Sequence, residues 1–131
     1  MSDPDFLVAF ENTTLPRPEW THEAHVRMAY LYLGKTENFD ATLNEVRTRI
    51  CAYNAAWGKA AGYHETITVA FLRLIADRMT RDGTKRDWSA FREANSDLLD
   101  TRILQAHYTE AVLFSPEARA GFVNPARAAL P

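Results

Sequence analysis

The sequence predicts an all-α fold, and three observations lead to that prediction. Apolar residues recur at three- and four-residue steps along most of the chain, as they do on amphipathic helices. No segment keeps the alternation of a strand, and no Asn-Gly hairpin signal is present. Proline, glycine, asparagine and aspartate separate the amphipathic segments. We therefore expect one domain over residues 1–131: a compact bundle of about four core helices, with short additional helices and an extended C-terminal tail.

Three helices are predicted in the first half of the chain. The first covers about residues 4–12 and ends before a segment with two prolines, which cannot continue it. The second follows Thr21, a good N-cap, and ends near Gly34. Gly58 closes the third and clearest helix. Its apolar stripe consists of Phe39, Leu43, Val46, Ile50, Tyr53 and Trp57.

Three further helices are predicted in the second half of the chain. They cover about residues 64–79, 88–94 and 98–108. A turn is expected at Asp82-Gly83, and a break in the third of these helices near Asp100. Ser115 followed by Pro116 is typical of a new helix start, and the chain is expected to be extended from Phe122 onward.

Composition excludes several classes of function. Fifteen basic and seventeen acidic residues give a formal net charge of −2, which argues against a nucleic-acid or anionic-membrane partner. No apolar run is long enough to span a bilayer, and the first residues lack the pattern of a signal peptide. Cys51 is the only cysteine, so an internal disulfide and a thiolate metal cluster are excluded, and we expect it to be a small core residue. The expected location is the cytoplasm.

The four histidines are all predicted to lie on inward helix faces. His22 and His25 are three residues apart at the start of the second helix, so they share a face. His64 heads the apolar stripe of the fourth helix, and His107 continues a later stripe. Imidazole is a common ligand for Zn, Fe, Ni or Cu, so the four are candidate ligands for one divalent transition metal. A histidine on an apolar face is, however, more often a core residue with its hydrogen bonds satisfied.

Further candidate site residues lie next to these histidines or on the central helix. Glu65 and His107 are candidate catalytic groups, acting as general acid or base beside a metal-bound water. Tyr63, Tyr108 and Asn54 are candidate cofactor- or ligand-binding residues. For Glu65 the plainer interpretation is a helix-start charge, and for the tyrosines it is packing.

These observations favour a metal-dependent enzyme acting on a small molecule, of hydrolase, lyase or oxygenase type. The first alternative is a non-catalytic protein that binds a metal or small ligand, or an accessory subunit of a larger enzyme. It predicts an exposed apolar patch. The residues expected in that patch are Leu113, Phe114, Phe122 and Val123. The second alternative gives each histidine a separate structural role and places the function at an interface. Assembly as a homodimer is left open.

Overall fold

The protein is all-α, as predicted. The structure, a computed structural model, describes residues 1–82 and 87–131, and these residues contain no β-strand. They form two compact units, Met1–Tyr63 and His64–Pro131. The prediction of a single domain stays a prediction.

The described residues contain seven α-helices and four 3₁₀ helices. The α-helices are α1 (Asp3–Glu11), α2 (His22–Leu33), α3 (Phe39–Ala56), α4 (Glu65–Asp82), α5 (Trp88–Ala94), α6 (Glu110–Leu113) and α7 (Pro116–Ala120). The 3₁₀ helices are Arg17–Glu19, Ala60–Gly62, Ser96–Leu99 and Thr101–Ala106. The four longest α-helices are α1 to α4, in agreement with the expected number of core helices.

In the first unit, α1 and α2 each pack against α3. Thr21 caps α2 by accepting a hydrogen bond from the backbone N–H of Ala24. At the end of α3, Gly58 adopts a φ of 71°, and the N–H of Lys59 donates to the carbonyl of Asn54 at 2.7 Å. This is a Schellman motif, in which the left-handed residue is best supplied by glycine. Both helix ends were predicted from these residue types.

In the second unit, α4 packs against α7 and against Ser96–Leu99. The break predicted near Asp100 is present, since this residue separates two 3₁₀ helices. Residues 121–131 contain no helix, which confirms the extended C-terminal tail. The turn predicted at Asp82-Gly83 lies partly outside the described residues, because Gly83 is not among them.

Three expectations about burial were wrong. Cys51 is exposed on α3, because it faces away from the buried side of that helix. Trp57, at the end of the same apolar stripe, keeps 40% of its surface exposed. The expected apolar patch does not form as a unit: Phe114 is 61% exposed, whereas Leu113 is buried and Phe122 lies under the guanidinium of Arg73.

No helix within the described residues is both long and apolar enough to cross a membrane.

Candidate functional site

His25 lies at the start of α2 against an aromatic ring. Its Nδ1 donates to the carbonyl of Thr21 at 2.7 Å, and its ring centre is 3.8 Å from that of Trp20. Burial lowers the pKa of His25 from 6.5 to about 4, opposed by the Thr21 hydrogen bond and reinforced by the positive charges of His22 and Arg17. His25 is therefore neutral at pH 7, with its proton on Nδ1 and its lone pair on Nε2.

His64 uses both ring nitrogens in hydrogen bonds. Its Nδ1 accepts from the backbone N–H of Ile67 at 3.1 Å, so the side chain caps α4. Its Nε2 donates to the carbonyl of Leu113 at 2.6 Å. Burial, with a smaller contribution from Arg119, lowers the pKa of His64 and keeps it neutral. Metal coordination by His64 would have to displace one of these hydrogen bonds.

His107 and Tyr108 hold the C-terminal tail. The Nδ1 of His107 donates to the carbonyl of Ala128 at 2.7 Å, and the backbone N–H of Arg127 donates to the carbonyl of His107. The hydroxyl of Tyr108, which is fully buried, donates to the carbonyl of Val123 at 2.6 Å. Both residues therefore fix the path of the last residues of the chain.

Thr66 holds the same tail from the first turn of α4. Its hydroxyl donates to the carbonyl of Gly121 at 2.9 Å and accepts from the N–H of Val123 at 3.1 Å. No local pattern in the sequence shows that this buried hydroxyl has a partner 55 residues further along the chain.

The four candidate metal ligands are divided between the two units. His22 and His25 lie in the first unit, and His64 and His107 in the second. Within residues 1–82 and 87–131, no three His, Cys, Asp or Glu side chains form a group that could hold a metal ion. The metal site and the catalytic roles of Glu65 and His107 stay predictions.

Glu65 and Tyr63 flank His64 in the chain. Glu65 is the first residue of α4 and is partly buried, in the position where a carboxylate complements the helix dipole. Tyr63 is partly buried and directly follows the 3₁₀ helix Ala60–Gly62. Their predicted roles in catalysis and ligand binding are neither supported nor contradicted by these positions.

Asn54 has a partner that sequence reasoning missed, the side chain of Arg17. The Nη1 of Arg17 donates to Oδ1 of the buried Asn54 at 3.3 Å. The guanidinium carbon of Arg17 also lies 5.4 Å from the centre of the Tyr53 ring, within the range of a cation–π interaction. The available signal was the position of Arg17 between two prolines, Pro16 and Pro18, which restrict the backbone around it.

The loop that carries Arg17 is fastened to α3 by two further hydrogen bonds. The hydroxyl of Tyr53 donates to the carbonyl of Leu15 at 2.6 Å. The indole N–H of Trp57 donates to the carbonyl of Thr13 at 3.0 Å. These two contacts hold the backbone leading to Arg17 against Tyr53 and Trp57.

The guanidinium of Arg17 is hydrogen-bonded to an uncharged side chain, that of Asn54. Among the described residues, no carboxylate forms an ion pair with Arg17. Arg27 of the same unit differs in this respect, since its Nη2 lies 2.6 Å from Oδ1 of Asp3. Arg17 is instead close enough to His25 to lower its pKa. A partly buried arginine with a planar set of donors and no paired carboxylate is suited to bind an anion.

The chain matches no protein family, no curated protein and no solved structure in comparisons with each of these.

Proposed function

We propose that this protein binds a small organic anion through Arg17, which corresponds to the non-catalytic alternative predicted from the sequence. The observation that carries the proposal is the position of this guanidinium. It lies on the Tyr53 ring, is hydrogen-bonded to the amide of Asn54, and forms no ion pair within the described residues. Carboxylate and phosphate groups are the ligands that match the fork of donors on arginine.

Prior ordering of Arg17 supports this function. Lost side-chain freedom is a main cost of binding, and a guanidinium already held on an aromatic ring loses less of it. Asn54 occupies one Nη donor with an uncharged acceptor, at a long distance of 3.3 Å. An anion would offer a stronger, charge-assisted hydrogen bond to the same guanidinium. In this proposal Asn54 acts on the ligand through Arg17, and its predicted ligand-binding role stays a prediction.

A metal-dependent enzyme is the second candidate, and the ring hydrogen bonds of two histidines favour it. In His25 and His107 the Nδ1 donates to a backbone carbonyl, so Nε2 is the ring nitrogen that faces no such partner among the described residues and is left for a metal. Histidines that bind metals commonly make such a second hydrogen bond. Elemental analysis of untagged protein tests this candidate: about one equivalent of transition metal, lost in His25→Ala, supports it, and no bound metal together with no zinc-induced stabilisation contradicts it.

We further propose that binding takes place in the cytoplasm, with a small molecule as the partner and without nucleic acid. The near-balanced charge of the chain supports the exclusion of nucleic acid, because a large basic surface would be needed to bind a polyanion.

The proposal is tested by titrating the protein with acetate and with inorganic phosphate while following amide and indole NMR signals. We expect saturable shifts at the Trp57 indole and at residues 15–20. Arg17→Met should weaken binding at least tenfold, since hydrogen bonds to charged groups contribute about 1.5–3 kcal/mol. Arg27→Met is the matched control, because Arg27 also lies over an aromatic ring, Phe6, but is paired with Asp3.

If Arg17→Met changes the structure of the loop that carries Arg17, a second variant still tests the proposal. Asn54→Asp preserves the shape of the side chain and places a carboxylate next to the guanidinium. It should abolish anion binding and leave the helical circular dichroism signal unchanged. Unchanged affinity in Arg17→Met, or equal losses in Arg17→Met and Arg27→Met, would overturn the proposal.

A further inference from the structure

Trp57 is exposed and yet held in one orientation. It keeps 40% of its surface in contact with solvent, although it belongs to the apolar stripe of α3. Its indole N–H donates to the carbonyl of Thr13, which limits rotation of the ring. An aromatic ring that is both exposed and oriented suits stacking with a ligand, because little further conformational freedom is lost on contact.

Trp57 and Arg17 border the same aromatic ring. The centre of the Trp57 ring is 6.3 Å from that of Tyr53, and the guanidinium carbon of Arg17 is 5.4 Å from it. Tyr53 itself is completely buried, and its ring is the common neighbour of the other two groups. A charged donor and an exposed aromatic surface thus both lie within contact range of the same buried ring in the first unit.

From this juxtaposition we infer that the ligand is an aromatic carboxylate. The inference rests on the proposed anion site and specifies its ligand: the carboxylate pairs with Arg17, and the ring stacks on Trp57. The aromatic cluster continues inward from Tyr53 to Phe10 and Trp20, so the stacked ring would extend an existing set of aromatic contacts. Stacked and edge-to-face geometries both provide attraction beyond the area that they bury.

Phe114 in the second unit provides a comparison. It is the other strongly exposed aromatic residue among the described ones, at 61%, and its ring meets His64 edge-on at 6.5 Å. His64 is neutral, and both of its nitrogens are engaged, so this aromatic residue has no cationic partner in that contact. Phe114 is therefore a suitable control for nonspecific binding of aromatic compounds.

The test compares four carboxylates by NMR titration of the whole protein: acetate, benzoate, 3-phenylpropionate and cyclohexanecarboxylate. We expect the better of the two aromatic acids to bind about five- to tenfold more tightly than acetate, and also more tightly than cyclohexanecarboxylate, which is apolar without being aromatic. Trp57→Leu should remove this preference, so that the aromatic acids bind no more tightly than cyclohexanecarboxylate. Trp57→Phe should keep most of the preference, and Phe114→Leu should keep all of it.

The outcomes separate this inference from the proposed function. If acetate binds in an Arg17-dependent manner and the aromatic acids bind no more tightly, the inference is overturned and the anion site remains. If none of the four acids binds, both are overturned. A preference for aromatic acids that persists in Trp57→Leu and disappears in Phe114→Leu would also overturn the inference, because it would place the ring in the second unit.

Discussion

The starts of α2 and α4 resemble each other in sequence and differ in chemistry. Each carries a histidine in or just before its first turn, followed by an apolar stripe. In the first unit, His25 packs against Trp20 at a tilt and makes one ring hydrogen bond, to its own helix start. In the second unit, His64 makes two, one of them to a carbonyl 49 residues away. A histidine at a given position on a helix can therefore be a packing element or a connection between distant segments.

The two histidines also lie among different kinds of contact. The connection made by His64 belongs to a set of contacts that fasten the α6–α7 region and the tail to α4, together with Thr66. Around His25 the contacts are mainly aromatic, and they leave the Arg17 guanidinium with an uncharged partner. His64 and Thr66 thus use their polar groups within the second unit, whereas Arg17 of the first unit is the group for which we propose a ligand.

Lowering the pH gives the strongest test of the difference between His25 and His64. His25 has a pKa of about 4 in the folded protein and near 6.5 when unfolded, so the unfolded chain takes up its proton first as the pH falls. The stability that the neutral ring contributes is complete above pH 6.5 and is lost as the pH falls to about 4, a change of about 3 kcal/mol. This loss of stability is measured by urea unfolding of the wild type and His25→Gln at pH 7 and pH 4. Amide signals of the first unit report the unfolding. Equal acid losses in the two proteins would contradict this account.

Removal of the His64 connection is expected to have the next largest effect. His64→Ala removes the cap of α4 and leaves the carbonyl of Leu113 without its donor, which should lower the free energy of unfolding by about 2 kcal/mol. His64→Asn keeps a cap and should recover about half of this loss. Amide hydrogen exchange at α4 and α6 reports the change. Full recovery by asparagine would show that the hydrogen bond to Leu113 contributes nothing.

The smallest expected effect concerns the tail. Thr66→Val keeps the shape of the side chain and removes both hydrogen bonds of its hydroxyl, to Gly121 and from Val123, for a loss of about 1 kcal/mol. Hydrogen exchange should increase at residues 121–128 and remain unchanged in α1 to α3. Thr68→Val is a matched control, because that hydroxyl bonds only the carbonyl of His64 in its own helix. Equal effects of the two variants would argue against a specific role of Thr66 in holding the tail.

Much of the fold could be predicted because helix boundaries depend on local chemistry. Thr21 and Ser115 cap helices by bonding N–H groups three residues ahead, and Gly58 adopts a conformation that other residues resist. These effects act within one turn of the chain. The 3₁₀ helices at Arg17–Glu19 and Ala60–Gly62 were missed, because such short turns are stabilised by packing rather than by periodicity.

The candidate site was predicted less well, because its important contacts are distant in sequence. Asn54 was selected as a ligand-binding residue, and its partner Arg17 was not, since 37 positions separate them. For the histidines, the sequence predicted four inward-facing side chains, but only His64 is buried, and His22, His25 and His107 are partly exposed. The sequence could not identify the hydrogen-bond partners that decide which imidazole nitrogen keeps a lone pair.

The sequence by itself determined the all-α class, most helix boundaries, the break at Asp100 and the extended tail, because capping, turns and amphipathic periodicity act over a few residues. The tertiary structure alone decided that His64 and Thr66 fasten distant segments and that Arg17 rests on Tyr53 beside Asn54. Pairings of this kind depend on which surfaces meet when the helices pack, and no local pattern encodes them.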